Sequence, residues 1–407
     1  MEPTAQAERF IVYKRIGDGD FDNGTVVKKN TYTCDIPTDK VVSFKVTAIN
    51  KDDESLPSEI LSVGISSQST EKPVLVINGF DRISGPNDFR SADDELAGFL
   101  ADDDNGVPDK EMISYVGKMK EFRRAIPWTD DDAPGFGDSY GNYERIVVAG
   151  NSFDYPALHG RSILKAGYSF VSMSRSAITA DDKNGSYTSP VARWMTASSE
   201  AETETKGQLT ADDNPYSAID LILGKEKQSK FGRPGLHPLA FKTFDAPMQT
   251  LLTNYCRQGG RVFVSGAYVG TDLWQNPIVK GLKEDQMFAE SILKYKWRED
   301  RAATEGRICY VVSPLAAENT SFEYYNLPNE ESYVVESPDA IVPADSAAYT
   351  AFRYPENGMS AGIVFGGNAQ DSWRTVVLAF PFESIKDPAT RDQLMKHVLR
   401  FLFNPSR

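Results

Sequence analysis

Short apolar runs that stop abruptly at Gly, Asn, Ser or Asp constrain this chain more than any other feature. VLVINGFD begins at Val74, RIVVAGNSFD at Arg145, YSFVSMS at Tyr168, AIDLILG at Ala218, RVFVSGAY at Arg261 and TVVLAFPFE at Thr375. Side chains alternate across a strand, so a run without polar alternation must be buried on both faces, as in a parallel sheet covered by helices. Helical candidates lie between the runs. LHGRSILKAG follows the second, FDAPMQTLLTNYCRQGG precedes the fifth with Gly259 and Gly260 as its stop, and PATRDQLMKHVLRFLF begins at Pro388. The alternation predicts an α/β fold with a doubly wound, mainly parallel sheet over residues 74–407. From Arg307 to Gly366 the β runs are closely spaced with no helix between them, which predicts an antiparallel extension on one sheet edge.

The first residues read differently. From Phe10 to Ile65 the apolar pattern has period two: FIVYKR, the turn GDGDFDNG, YTCDIP, VVSFKVTAIN, a charged turn and EILSVGI. Residues 1–66 are therefore expected to be an all-β module, residues 67–73 a polar linker, and the two sides independently packed units. So small a sheet with open edges is marginal alone.

Composition narrows the partners. Of 407 residues, 44 are Lys or Arg and 58 Asp or Glu, giving a net charge of −14. Such a chain approaches a polyphosphate or an anionic membrane against its own field, so nucleic acid is not expected as a partner. No run approaches the roughly 18 apolar residues of a membrane span, and MEPTAQAERF has neither a basic nor an apolar leader segment. Cys34, Cys256 and Cys309 are too widely separated for a zinc or disulfide framework and are read as small buried apolar groups.

VLVINGFDRISGP, PWTDDDAPGFG, VVAGNSFDYPALHG, GYSFVSMSRSAI, GGRVFVSGAY and LAFPFESI, behind the β-rich start, resemble the C-terminal region of secreted bacterial xanthan lyase-like proteins, over roughly Phe10 to Phe403. SFKVTAIN with ESLPSEILSV resembles the last two strands of a fibronectin type III domain, and FIVYKR its third. Two earlier strands are then missing, and the resemblance implies that the natural chain extends upstream with further domains. QTLLTNYCRQGGRVFVSGAY and VVLAFPFESI look like the class I glutamine-amidotransferase-like fold. That fold carries a nucleophilic Cys at a strand-to-helix turn, but Ser265 and Gly266 occupy the matching place here. The resemblance implies a secreted, periplasmic or surface location and an acidic polysaccharide or cell-wall glycan as partner.

Sites in an open parallel sheet lie beyond the carboxyl ends of its strands. The most polar such end is the loop Asn151–Arg161. Ser152, Asp154 and His159 could supply the nucleophile, orienting acid and base of a Ser-type hydrolase. A polysaccharide lyase would use His159 or Tyr155 as base, with Arg161 or Asn151 near the uronate carboxylate. Neither constellation is complete: the G-x-S-x-G elbow is absent, and His159 must fold back across a short loop. Asn78, Asp81, Arg82, Arg175, Lys225 and Glu383 end other runs and could line the same crevice; equally, Asp81 with Arg82 and Glu383 with a nearby base could be ion pairs closing the sheet's rim.

The acidic strings Asp102–Asp109 and Asp130–Asp132 lack a full calcium-loop pattern and are read as solvated turns, so no metal or cofactor is expected. His237 and His397 have no ligand-like neighbours and are read as structural. Trp128, Phe136, Tyr140, Tyr143, Phe153 and Tyr155 cluster in sequence near the polar loop, and aromatic faces with polar edges suit sugar binding. The expected function is an ancillary, glycan-binding region with catalysis unproven, the Asn151–Arg161 hydrolase or lyase being the alternative.

Overall fold

The computed structural model describes residues 7–51, 54, 58–79, 88–90, 96–101, 118–123, 154–179, 189–195, 214–225, 243–275, 282–311, 315, 321–327, 332 and 334–403. Four antiparallel strands come first: β1 (Arg9–Ile16), β2 (Thr25–Val27), β3 (Val41–Ile49) and β4 (Leu61–Gly64). β1 pairs with β2 and β3, and β3 with β4, in a register that sets Val12 opposite Val46 and Val42 opposite Val63. YTCDIP, expected to be a strand, joins no ladder. Within it Cys34 and Ile36 are half-buried and Asp35 between them is exposed.

β5 (Val74–Asn78) opens the apolar runs, and β6 (Asp88–Arg90), β7 (Leu96–Ala101) and β8 (Lys118–Arg123) form a separate antiparallel sheet. Then follow α1 (Tyr155–Lys165), β9 (Phe170–Ser174), the short α2 (Ala192–Met195), β10 (Ala218–Gly224), α3 (Ala246–Arg257) and β11 (Arg261–Gly266). α4 (Thr271–Trp274) and α5 (Leu282–Phe288) lead through a π turn to β12 (Tyr295–Glu299). β13 (Arg307–Tyr310), β14 (Ser321–Glu323), β15 (Ala340–Pro343), β16 (Ala348–Arg353), β17 (Ser360–Phe365) and β18 (Arg374–Leu378) precede the closing helix α6 (Pro388–Phe403).

One sheet of thirteen strands runs β14-β13-β16-β17-β18-β11-β10-β5-β9-β4-β3-β1-β2. Its centre, β18-β11-β10-β5-β9, is parallel, and both flanks are antiparallel. This is an α/β architecture with a large mixed sheet. Alternation across the central strands feeds two cores. Val74, Val76 and Ile222 pack with Ile163 of α1 and Leu394 and Val398 of α6. Leu75, Ile77 and Leu221 pack with Leu251 and Tyr255 of α3. The antiparallel extension past β18 is present as expected, except that the described residues of SYVVES join no strand, while β15, unforeseen, pairs with β12 outside the main sheet.

The first strands continue that sheet. β4 pairs with β9, Val63 opposite Val171 and Gly64 opposite Phe170, and the Ser62 N–H donates to Ser172 Oγ at 2.7 Å. The two sides of residues 67–73, expected to pack independently, thus share the β4–β9 ladder. Close approach makes the joint possible: a Cβ at Gly64 would stand 2.6 Å from the fully buried Phe170 ring, and one at Gly160 of α1 only 2.0 Å from it. Cys256 is buried in α3, whereas Cys34 and Cys309, expected to be buried, are only partly so.

Candidate functional site

Helix α1 starts immediately after Asp154, with Pro156 in its first turn, where the missing N–H leaves no intrahelical bond unmade. Asn151–Arg161 is thus not a loop throughout: His159 and Arg161 lie inside the helix. His159 is completely buried. Its Nδ1 lies 2.8 Å from Asp220 Oδ2 and its Nε2 3.2 Å from Glu383 Oε2, while the ring meets the Phe382 ring at 4.6 Å between centroids. Asp220 projects from the middle of β10, and Glu383 from the turn after β18.

Two carboxylates on one imidazole decide its charge. Burial alone pushes the His159 pKa down, but the charge of Asp220, its hydrogen bond and the Glu383 contact together raise it from 6.5 to about 9. As an imidazolium it donates from both nitrogens to the two carboxylates. Tyr155, one turn earlier in α1 and buried, has its phenol pushed well above the usual range by burial first and by the Glu383 charge second.

The other predicted residues turn toward the first strands. The Asp154 carboxylate caps nothing in α1 and pairs with Arg15 of β1. Burial raises its pKa, an effect that Arg15 partly offsets. Arg161 pairs with Asp18 in the β1–β2 turn. Asn78, at the end of β5, is buried and donates from Nδ2 to Glu59 Oε2 at 2.6 Å. Arg175 donates to the Gly79 carbonyl at 3.1 Å and lies 3.3 Å from Asp245, and Lys225 donates to Glu336 at 2.5 Å. Arg175 and Lys225 are thus held in ion pairs with Asp245 and Glu336, and Glu383 lies against His159 inside the core.

Ser152, Asn151, Asp81 and Arg82 lie outside the described residues, as do His237, the two acidic strings and Trp128, Phe136, Tyr140, Tyr143 and Phe153. Among the described residues, no group of three or more His, Cys, Asp or Glu is placed to hold a metal ion, and no helix is long and apolar enough to cross a membrane.

Sequence reasoning missed Asp220, Arg15, Asp18 and Glu59. Asp220 carried a usable signal. A lone carboxylate inside AIDLILG, a run buried on both faces, has to find a cation or a proton, and a buried His on a neighbouring helix supplies both.

No family model and no curated protein matches this chain. The arrangement is then judged on its chemistry. A general base needs a nitrogen free to take a proton from a group within reach. Both nitrogens of His159 are engaged with carboxylates, its pKa favours the protonated form, and the ring has no exposed surface.

Proposed function

We propose that this chain is an accessory, non-catalytic region of a secreted polysaccharide- or cell-wall-active protein, binding glycan while the chemistry resides elsewhere. The observation that carries the non-catalytic half is the commitment of His159, the candidate base, to Asp220 and Glu383 inside the core. The polysaccharide half, with secretion and upstream domains, rests on the resemblance to xanthan lyase-like proteins. The same resemblance, together with cores on both faces of a parallel centre, supports a doubly wound, glutamine-amidotransferase-like domain behind a partial fibronectin type III module. Ser265, in the place of that fold's nucleophile, is fully buried near the end of β11, and its hydroxyl has no hydrogen-bond partner among the described residues.

Affinity electrophoresis through gels containing xanthan or cell-wall glycan, run beside an assay for the ultraviolet absorbance of unsaturated uronate, tests both halves. The expected result is retarded migration without growth of absorbance. Because the chain carries −14, retention by a polyanion should strengthen as salt screens repulsion. Absorbance growth overturns the non-catalytic half, and unretarded migration in every glycan overturns the binding half.

A further inference from the structure

The carboxyl edge of the parallel centre carries polar groups that the His159 bridge leaves unused. β5 and β10 lie side by side, and the helix that follows each goes to a different face: α1 packs in one core and α3 in the other. Helices that part in this way leave a crevice beyond the ends of the two strands, where open α/β sheets take ligands. Asn78 ends β5 and Lys225 follows β10, so both stand at its rim.

Two buried oxygens there have no partner. In register, Asn78 stands beside Ile222 and Ile222 beside Ser265, so the three side chains share the face that packs on α1. Asn78 is 3% exposed and donates its amide N–H to Glu59, yet its Oδ1 accepts no hydrogen bond among the described residues, and the Ser265 hydroxyl makes none. Buried polar atoms are paired in about nine cases in ten, so two orphans in one row call for a donor that the protein does not supply. Two strand spacings, about 10 Å, separate Asn78 from Ser265, the span of a sugar ring with a hydrogen bond at each end.

Lys225 supplies the charge. Its side chain is 4% exposed, and its ammonium donates at 2.5 Å to the carboxylate of Glu336, whose side chain is 51% exposed. Glu336 makes no other hydrogen bond among the described residues. Acids that hold the backbone are anchored differently: Asp339 accepts from the Gly270 and Thr271 N–H groups and the Thr271 hydroxyl, and Asp245 from the Met248 N–H. Glu336 is a carboxylate fixed at one point and facing solvent. A ligand carboxylate arriving from solvent can take its place without leaving the buried ammonium unpaired.

We propose that this edge binds a hydroxylated carboxylate of sugar size, a uronic acid, free or at the end of a glycan. Its carboxylate displaces Glu336 from Lys225, and its ring hydroxyls bond to Asn78 Oδ1 and the Ser265 hydroxyl. A neutral sugar lacks the charge, and a simple carboxylate lacks the donors. The inference rests on the glycan reading for the source of the ligand and on these side chains for its chemistry.

Isothermal titration of the full chain with glucuronate, glucose and acetate tests it. Glucuronate should bind at least about tenfold more tightly than either of the others, the worth of a charge-assisted hydrogen bond. Glu336→Gln removes the competing carboxylate from an exposed position and should tighten glucuronate about two- to fivefold while leaving glucose unchanged. An affinity that Glu336→Gln leaves unchanged or weakens overturns the proposal. So does the absence of glucuronate binding, or equal binding of acetate, which makes Lys225 a general anion contact. The glycan reading fails separately. Glycan retardation that persists in a folded Lys225→Met chain puts glycan binding elsewhere and overturns this site alone, whereas glucuronate binding without retardation by any polymer supports the site for a free sugar acid and overturns the glycan reading.

Discussion

The parallel centre and the first four strands are parts of one sheet, yet they bury themselves by different means. β5 and β10 are buried at every position because helices cover both faces, whereas β1 has one buried residue, Val12, among half-buried neighbours. One face of the first strands is held to α1 by polar groups, Arg15 to Asp154 and Asp18 to Arg161, and the other is partly open over a cavity. The difference teaches that the polar residues following the apolar runs, which look like an active-site rim in sequence, serve largely as a seam. They tie α1, the sheet and the first strands together.

If so, the greatest loss should follow from opening the seam at its centre. His159→Ala leaves Asp220 and Glu383 facing each other in the core without a cation, and should destabilise the fold by about 3–5 kcal/mol in urea unfolding. A loss within a few tenths of a kcal/mol would mean that the carboxylates are solvated or protonated, and the contrast with the exposed seam would dissolve. A matched pair of truncations sharpens the comparison next. Leu221→Ala, in a fully buried strand, should cost about 2–5 kcal/mol, and Leu61→Ala, half-buried in β4, roughly half as much. Equal losses would show that the first strands are as well packed as the centre.

Gly160→Ala should come third. Alanine favours a helix by about 1 kcal/mol over glycine, but its methyl would strike the Phe170 ring, so the net effect should be a destabilisation of about 1–3 kcal/mol. A stabilised variant would contradict the close joint between α1, β9 and β4. The smallest effect belongs to the rim. Arg15→Ala should cost about 1 kcal/mol, since both side chains of its pair are partly exposed, and should raise the Asp154 pKa further because burial then acts without its offset. Both shifts are readable by urea unfolding and carbon-detected NMR titration.

Much of this architecture is legible in the sequence, for a physical reason. A strand buried on both faces must be apolar throughout, so VLVIN, AIDLILG and RVFVSG announce themselves, and the helices between them carry Pro near the start and Gly near the end. YTCDIP has the alternation of a strand, but alternation reports only that one side is covered, and here no ladder accompanies it. β15 was invisible because four residues carry too little pattern. Independent packing of the first module was inferred from the polar composition of residues 67–73, but composition says nothing of whether β4 finds β9. At the site, His159 was named as the candidate base, while its partners come from positions 61 and 224 residues away and could not be paired by proximity in sequence.

The charge state of His159 is where these threads meet. A folded-state pKa above the unfolded value means that the bridge contributes fully below pH 6.5 and is lost as pH rises through about 9, a contribution on the order of 3 kcal/mol. A nitrogen-15 NMR titration of the imidazole in the full chain reads this directly. The account predicts that His159 keeps both ring protons through neutral pH and releases one only near pH 9, with stability declining over the same interval. A His159 that titrates near 6.5, or that is neutral at pH 7 and shifts when a glycan is added, would contradict it and return the residue to the role of a base.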